Sequence, residues 1–168
     1  MVDLESIRSR TVTASEYIQS LGDSDKQGFL DVYEDYQLDM GAVEALRVFA
    51  KDITVVVISA SWCKDCRNAL PVFAHLEEKV GLDVRVFGAV KTAPLDPKHK
   101  WAIPPSPPEI EEWKATAIPW IEIFDKQGRR IGTIIEKPTV TGSIEEELLH
   151  ALNEHKHRAK KPEPRRKS

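Results

Sequence analysis

The chain has 168 residues, of which 41% are apolar and 30% charged, and its formal net charge is −3. That is enough for one domain with a real core and too little for two generous ones. The longest largely apolar run, Ile53 to Ala60, falls far short of the ~20 residues that cross a bilayer, which argues against a membrane protein. Residues 155–168 carry seven Lys/Arg against Glu163 alone, a net of +6 that leaves about −9 on the rest; so acidic a body argues against a nucleic-acid binder.

The first fifty residues read as helices. Thr13 to Glu16 and Ser24 to Gln27 both fit a capping box, in which side chains satisfy the first free amides of a helix. Tyr17, Ile18 and Leu21, then Phe29, Leu30, Tyr33 and Tyr36, recur at helical spacing and read as packing residues. A third helix over Met40 to Lys51 would offer Val43, Leu46, Val48, Phe49 and Ala50 to a core. Residues 1–51 are thus expected to form a helical extension packed on the domain that follows.

Ile53-Thr-Val-Val-Val-Ile-Ser59 is β-branched, short and without alternation, as a strand covered on both faces should be. A helix from about Lys64 to Lys79 follows, with Leu70, Phe73, Leu76 and Val80 inward and Gly81 as its stop. Leu82 to Phe87 is a second strand, parallel to the first. Six prolines interrupt residues 91–108, which also hold Lys98, His99, Lys100 and Trp101; this insert reads as a loop, either a partner-recognition element or a solvated crossover. A short helix from Glu109 precedes Ile118-Pro119. Strands Trp120–Phe124 and Arg130–Ile135 form an antiparallel hairpin around Asp125-Lys-Gln-Gly128. Ser143 caps a last helix to about Glu154, with Glu145, Glu146 and Glu147 as a solvated first turn. The basic residues 155–168 are expected to be disordered.

The only two cysteines lie in Trp62-Cys63-Lys64-Asp65-Cys66-Arg67, where the first strand turns into a helix. There the first thiol caps the helix N-terminus, whose unpaired amides and dipole favour a thiolate, and the second lies one turn along. Residues alone leave three readings open: a redox dithiol, a pair of structural thiols, or half a metal site. Zinc would need two further ligands, and His75, two and a half turns beyond Cys66, is too far along to supply one.

Further motifs narrow this. Trp62 directly precedes the first cysteine, Pro71 stands five residues after the second, and Ile118-Pro119 opens the third strand. With the order β-α-β-α-β-β-α over about residues 52–154, the chain resembles the thioredoxin family. The resemblance implies an α/β thioredoxin fold: a central mixed four-stranded sheet with flanking helices, here with an N-terminal helical extension. It implies that Cys63 is the exposed nucleophile, that Cys66 is the buried resolving thiol that pairs with it as a redox-active disulfide, and that no bound cofactor is needed. It also implies a cis Ile118-Pro119 bond facing the dithiol, with Ala117, Ile118, Pro119 and Trp120 beside Trp62, Lys64 and Asp65 in the substrate groove. Lys64 should favour the Cys63 thiolate and Asp65 oppose it, giving an ordinary reducing dithiol.

Two departures stand out. Thioredoxins place a buried Asp six residues before the first cysteine; here that residue is Val57, and Glu122 or a water is left to take its role. Their glycine-containing loop after the hairpin is here Glu136-Lys-Pro138. The expected function is reduction of protein disulfides, with electrons from a separate thiol/disulfide reductase or small thiols. The start Met-Val-Asp-Leu-Glu, which lacks a signal-like run, points to the cytoplasm. The alternative is a thioredoxin-fold adaptor or redox sensor without general turnover.

Overall fold

The computed structural model describes residues 1–90 and 106–160. Four helices come first: α1 (Leu4–Ser9), α2 (Ala14–Ser20), α3 (Asp23–Asp35) and α4 (Met40–Leu46). There follow β1 (Ile53–Ile58), α5 (Lys64–Val80), β2 (Asp83–Phe87), α6 (Glu109–Glu112), β3 (Trp120–Asp125), β4 (Arg130–Ile135) and α7 (Ile144–Lys160). The strands form one mixed sheet in the order β2-β1-β3-β4, with β1 parallel to β2 and antiparallel to β3. All six residues of β1 are buried, which is why its sequence carries no alternation.

Register assigns the two faces. Val57 pairs with Ile121, and Ile123 with Gly132. A side chain at Gly132 would meet both Ile123 and Ala151 of α7, so Val55, Val57, Ile121 and Ile123 face the layer of α7 and its neighbour α5. Thr54, Val56, Trp120, Glu122 and Phe124 point the other way. On that side Trp113, just after α6, packs on Phe124 with ring centroids 5.6 Å apart. Arg8 of α1 reaches Asp83 there through two hydrogen bonds of 2.6 and 3.0 Å. The N-terminal helices share the core rather than lying outside it: Ile7, Tyr17, Phe29, Val43 and Leu46 join the same buried cluster as β1.

Local signals decide most boundaries. Thr13 forms its capping box with Glu16, Gly81 ends α5 in the left-handed conformation at φ 67°, and Gly128, at φ 88°, closes the β3–β4 turn. Several expectations are corrected. The second capping box does not form, because α3 already starts at Asp23, with Gly22 as its N-cap. The third helix stops at Leu46, so Val48 falls off its apolar face and is 68% exposed. The first turn of α7 is not solvated: Glu145 and Glu147 are buried. Glu145 accepts a hydrogen bond from Tyr36 Oη, and Glu147 accepts from the amides of Thr139, Val140 and Thr141. Finally, α7 runs to Lys160, so the first six residues of the expected disordered tail are helical; residues 161–168 lie outside the described residues. Most of the proline-rich insert, including Lys98, His99, Lys100 and Trp101, also lies outside them. No helix among the described residues is long and apolar enough to cross a membrane.

Candidate active site

The site begins with the end of β1. The strand delivers the chain to a turn, and Cys63 occupies the N-cap of α5 in extended conformation. Its sulfur does what a serine or aspartate oxygen does at other N-caps. It accepts from the Cys66 amide at 3.2 Å, and its own S–H donates to the Ile118 carbonyl at 3.6 Å. That second contact fixes the Ile118-Pro119 segment, whose peptide bond is cis, over the first thiol. Both cysteines are free thiols and both are buried: Cys63, expected to be exposed, is only 8% exposed because the Ile118-Pro119 segment lies against its sulfur. Among the described residues no three His, Cys, Asp or Glu side chains are grouped to hold a metal ion.

The two thiols have opposite electrostatics. Cys63 is lowered to about 7, first by hydrogen bonding from the Cys66 side chain; burial works against this, the Cys66 and Asp65 amides reinforce it, and the Asp65 carboxylate opposes it. Lys64, exposed on the first turn of α5, is not among the principal influences, so the expected cancellation between Lys64 and Asp65 reduces to Asp65 alone. Cys66 is fully buried, and burial pushes its thiol far up. One thiol therefore ionises near neutral pH, and the other holds its proton.

The remaining expected residues divide. Trp62 is 54% exposed and forms the rim. Ala117 is half-buried, while Ile118 and Pro119 are buried against the dithiol turn. Trp120 faces the opposite side of the sheet, where its Nε1 donates to Glu122 Oε1 at 2.8 Å, so its side chain is not part of the groove. The same register removes Glu122 as a partner of Cys66. Glu122 pairs with Val56, not Val57, and its carboxylate is held by Trp120, Thr133 and Arg130. The stretch Glu136-Lys-Pro138 does border the site: it shares a groove with Asp65, Asn68 and Tyr36. Glu136 takes a left-handed φ of 64°, the conformation a glycine accepts at least cost.

Two residues that the sequence reading assigned to packing or to the strand sit close to Cys66. Ser59 is fully buried and Tyr17 is 5% exposed. Ser59 is two residues past Val57 and so on the same face, a signal available in the sequence. Nothing local to Tyr17 marks it.

Comparison with known proteins agrees with this geometry. The sequence profile of a family described as thioredoxin matches residues 11–94. Thioredoxin H3 of Arabidopsis thaliana is 36% identical over 107 residues, covering 64% of this chain and 74% of that protein. A Pseudomonas aeruginosa protein of unknown function superposes with a TM-score of 0.64 at 13% identity, covering 92% of this chain and 95% of its own. An HIV epitope-scaffold protein does so with a TM-score of 0.61, the same identity and the same coverage. At such identity these two show the fold alone. With a Cys63–Cys66 pair at the head of α5 and half its length matched by the family's profile, the chain belongs to the thioredoxin family.

Proposed function

We propose that the protein is a thiol–disulfide oxidoreductase that reduces protein disulfides through Cys63 and Cys66. The observation that carries this reading is the asymmetry of the two thiols: Cys63, buried but with its sulfur at a helix N-cap, ionises at about 7, whereas Cys66, deeper still, holds its proton. The Cys63 thiolate attacks one sulfur of a substrate disulfide, forming a mixed disulfide and releasing the other sulfur as a thiolate. Cys66 then loses its proton to water and attacks Cys63 Sγ; the second substrate sulfur leaves with the bonding electron pair. The substrate has gained two electrons and the protein holds a Cys63–Cys66 disulfide, which a thiol reductase or small dithiol returns to the starting state. Exposed Trp62 and the half-buried Ala117 flank the sulfur that a substrate must reach. A reducing compartment such as the cytoplasm suits this direction of exchange.

Trapping tests the reading. Cys66→Ser, which cannot resolve, should accumulate a mixed disulfide with its substrate, reversible by reductant, and Cys63→Ser should trap nothing. If the native chain shows no turnover of a model disulfide, and Cys63→Ser binds the same partners as the native chain, the adaptor reading replaces this one.

A further inference from the structure

Beneath the dithiol lie two hydroxyls that the exchange steps leave unused. Ser59 directly follows β1 and extends its ladder, its amide donating to the Phe87 carbonyl at 2.9 Å. Its side chain is fully buried on the α5 face. The Ser59 hydroxyl lies against both the Cys66 thiol and the Tyr17 phenol, favouring the charged form of each. Yet among the described residues neither Ser59 Oγ nor Tyr17 Oη makes a hydrogen bond of ordinary geometry. Tyr17 has little freedom to turn elsewhere. Its ring stands edge-on to Phe29, with centroids 6.1 Å apart, and lies so close to Gly88 that a Cβ there would fall 2.2 Å from Cε2.

Buried hydroxyls without partners are costly and uncommon. Two of them side by side, next to one thiol, suit a state in which that sulfur accepts hydrogen bonds. A neutral thiol accepts weakly, whereas a thiolate accepts strongly. The cycle passes through such a state when Cys66 attacks the mixed disulfide. Donors already in place for a charge that has yet to develop are an efficient form of catalytic stabilisation. The carboxylate that thioredoxins place on this strand is absent, its position being Val57.

Resting on the exchange reaction proposed above, we infer that Ser59 is a catalytic residue for the resolving step, donating its O–H to the developing Cys66 thiolate, and that Tyr17 is a positioning residue that donates to Ser59 Oγ and aims it. The Cys66 S–H bond breaks with its proton passing to water. The Cys66–Cys63 bond forms, and the Cys63–substrate bond breaks with its electron pair going to the substrate sulfur. The other charged or titratable groups around the pair are Cys63 and Asp65 on the dithiol turn, Asp25 of α3 facing Tyr17, and Arg67 of α5, whose Nε is buried near Gly28. All remain in the variants below.

A substoichiometric aromatic nitrobenzoate disulfide separates the two steps, because each releases one coloured thiolate. The first release reports attack by Cys63 and the second reports attack by Cys66. In Ser59→Ala the first release should keep its native rate, while the second slows about 10- to 100-fold, the size of losing a hydrogen bond to a charged acceptor. The pH dependence of the second release should also move to higher pH. Tyr17→Phe, which keeps the ring and its packing, should slow the same phase by a smaller factor and add nothing in the Ser59→Ala background. A folded Ser59→Ala with a native second phase and pH profile overturns the inference, as does equal slowing of both phases. If Ser59→Ala does not fold, an unchanged second phase in Tyr17→Phe overturns the inferred role of the hydroxyl pair. Absence of the first release in the native chain would instead overturn the exchange reading itself.

Discussion

Replacing Cys66 with alanine should raise the pH at which Cys63 becomes reactive. In the native chain Cys63 is lowered to about 7, and the largest cause is hydrogen bonding from the Cys66 side chain. A hydrogen bond to a charged acceptor contributes ~1.5–3 kcal/mol, and one pKa unit corresponds to ~1.4 kcal/mol, so its loss moves the midpoint up by ~1–2 units, to roughly 8–9. At pH 7 the thiolate fraction then falls from about one half to between ~10% and ~1%. The residue-66 amide, which donates at 3.2 Å, survives the substitution and limits the shift. Cys66→Ser offers a hydroxyl in nearly the same place and should hold the midpoint closer to about 7. Each variant has one thiol, so the initial rate of carbamidomethylation against pH, read by intact mass, reports a single site rather than a coupled pair. A midpoint still at about 7 in Cys66→Ala would refute the reasoning, because the amides alone would then account for the thiolate. The same shift bears on stability. Folded Cys63 ionises below the ~8.5 of an unfolded cysteine, so its contribution is fully present above that value and is lost as pH falls through about 7.

Three other substitutions probe the scaffold. Asp83 is opposed by burial but held well below the usual carboxylate range by hydrogen bonds from Arg8, Thr54 and Lys126. Asp83→Asn should therefore cost about 1–2 kcal/mol at neutral pH, after a discount for the part-exposed Arg8 and Lys126; urea melts should show the deficit closing as pH falls below ~4, where the carboxylate of the unfolded chain takes up its proton while the folded one stays charged to lower pH. Gly88→Ala, whose Cβ would meet the Tyr17 ring, should destabilise by roughly 1–3 kcal/mol in the same melts; a neutral result would mean that the ring is freer than its packing implies. Glu136→Gly should raise the melting temperature slightly, because a left-handed non-glycine residue costs ~1–2 kcal/mol and glycine's added chain entropy takes back only ~0.5–1 kcal/mol.

How far the sequence carries depends on whether a feature is local. Cys63 as N-cap, Gly81 as stop and Asp125–Gly128 as turn each depend on a few neighbouring residues, and the structure has them where expected. The unalternating β1 announces its own burial. Features that fail involve distant partners or competing local choices. Ser24 lost its cap to a helix that begins two residues earlier than that cap would start it, with Asp23 and Asp25 in its first turn, where acidic side chains suit the dipole. Glu145 and Glu147 look like solvated charges until Tyr36 and the amides of 139–141 come to meet them. Tyr17 keeps helical spacing like any core residue; only the fold brings it to Ser59, forty-two residues along.

A buried polar group just past the end of β1, at Ser59 rather than at the position of Val57, would change the kind of help Cys66 can receive. Val57 and Ser59 share a face of the sheet, so a polar position two residues later lies nearer the dithiol turn. A carboxylate buried beneath the thiols can take a proton, but burying its charge is expensive, whereas a neutral hydroxyl costs far less to bury. A hydroxyl does not, however, hold the Cys66 proton. If Ser59 supplies the assistance, the resolving rate should go on rising with pH until Cys66 itself ionises, whereas carboxylate assistance would level off above the carboxylate's own pKa. In the exchange proposed above, a Cys66 thiol raised by burial far above the neutral range would make resolution the slower step at neutral pH and lengthen the life of the mixed disulfide. Over that interval a substrate would be held covalently at Cys63, and contacts with exposed Trp62 and with the groove beside Asp65 and Lys137 would have time to distinguish one partner from another.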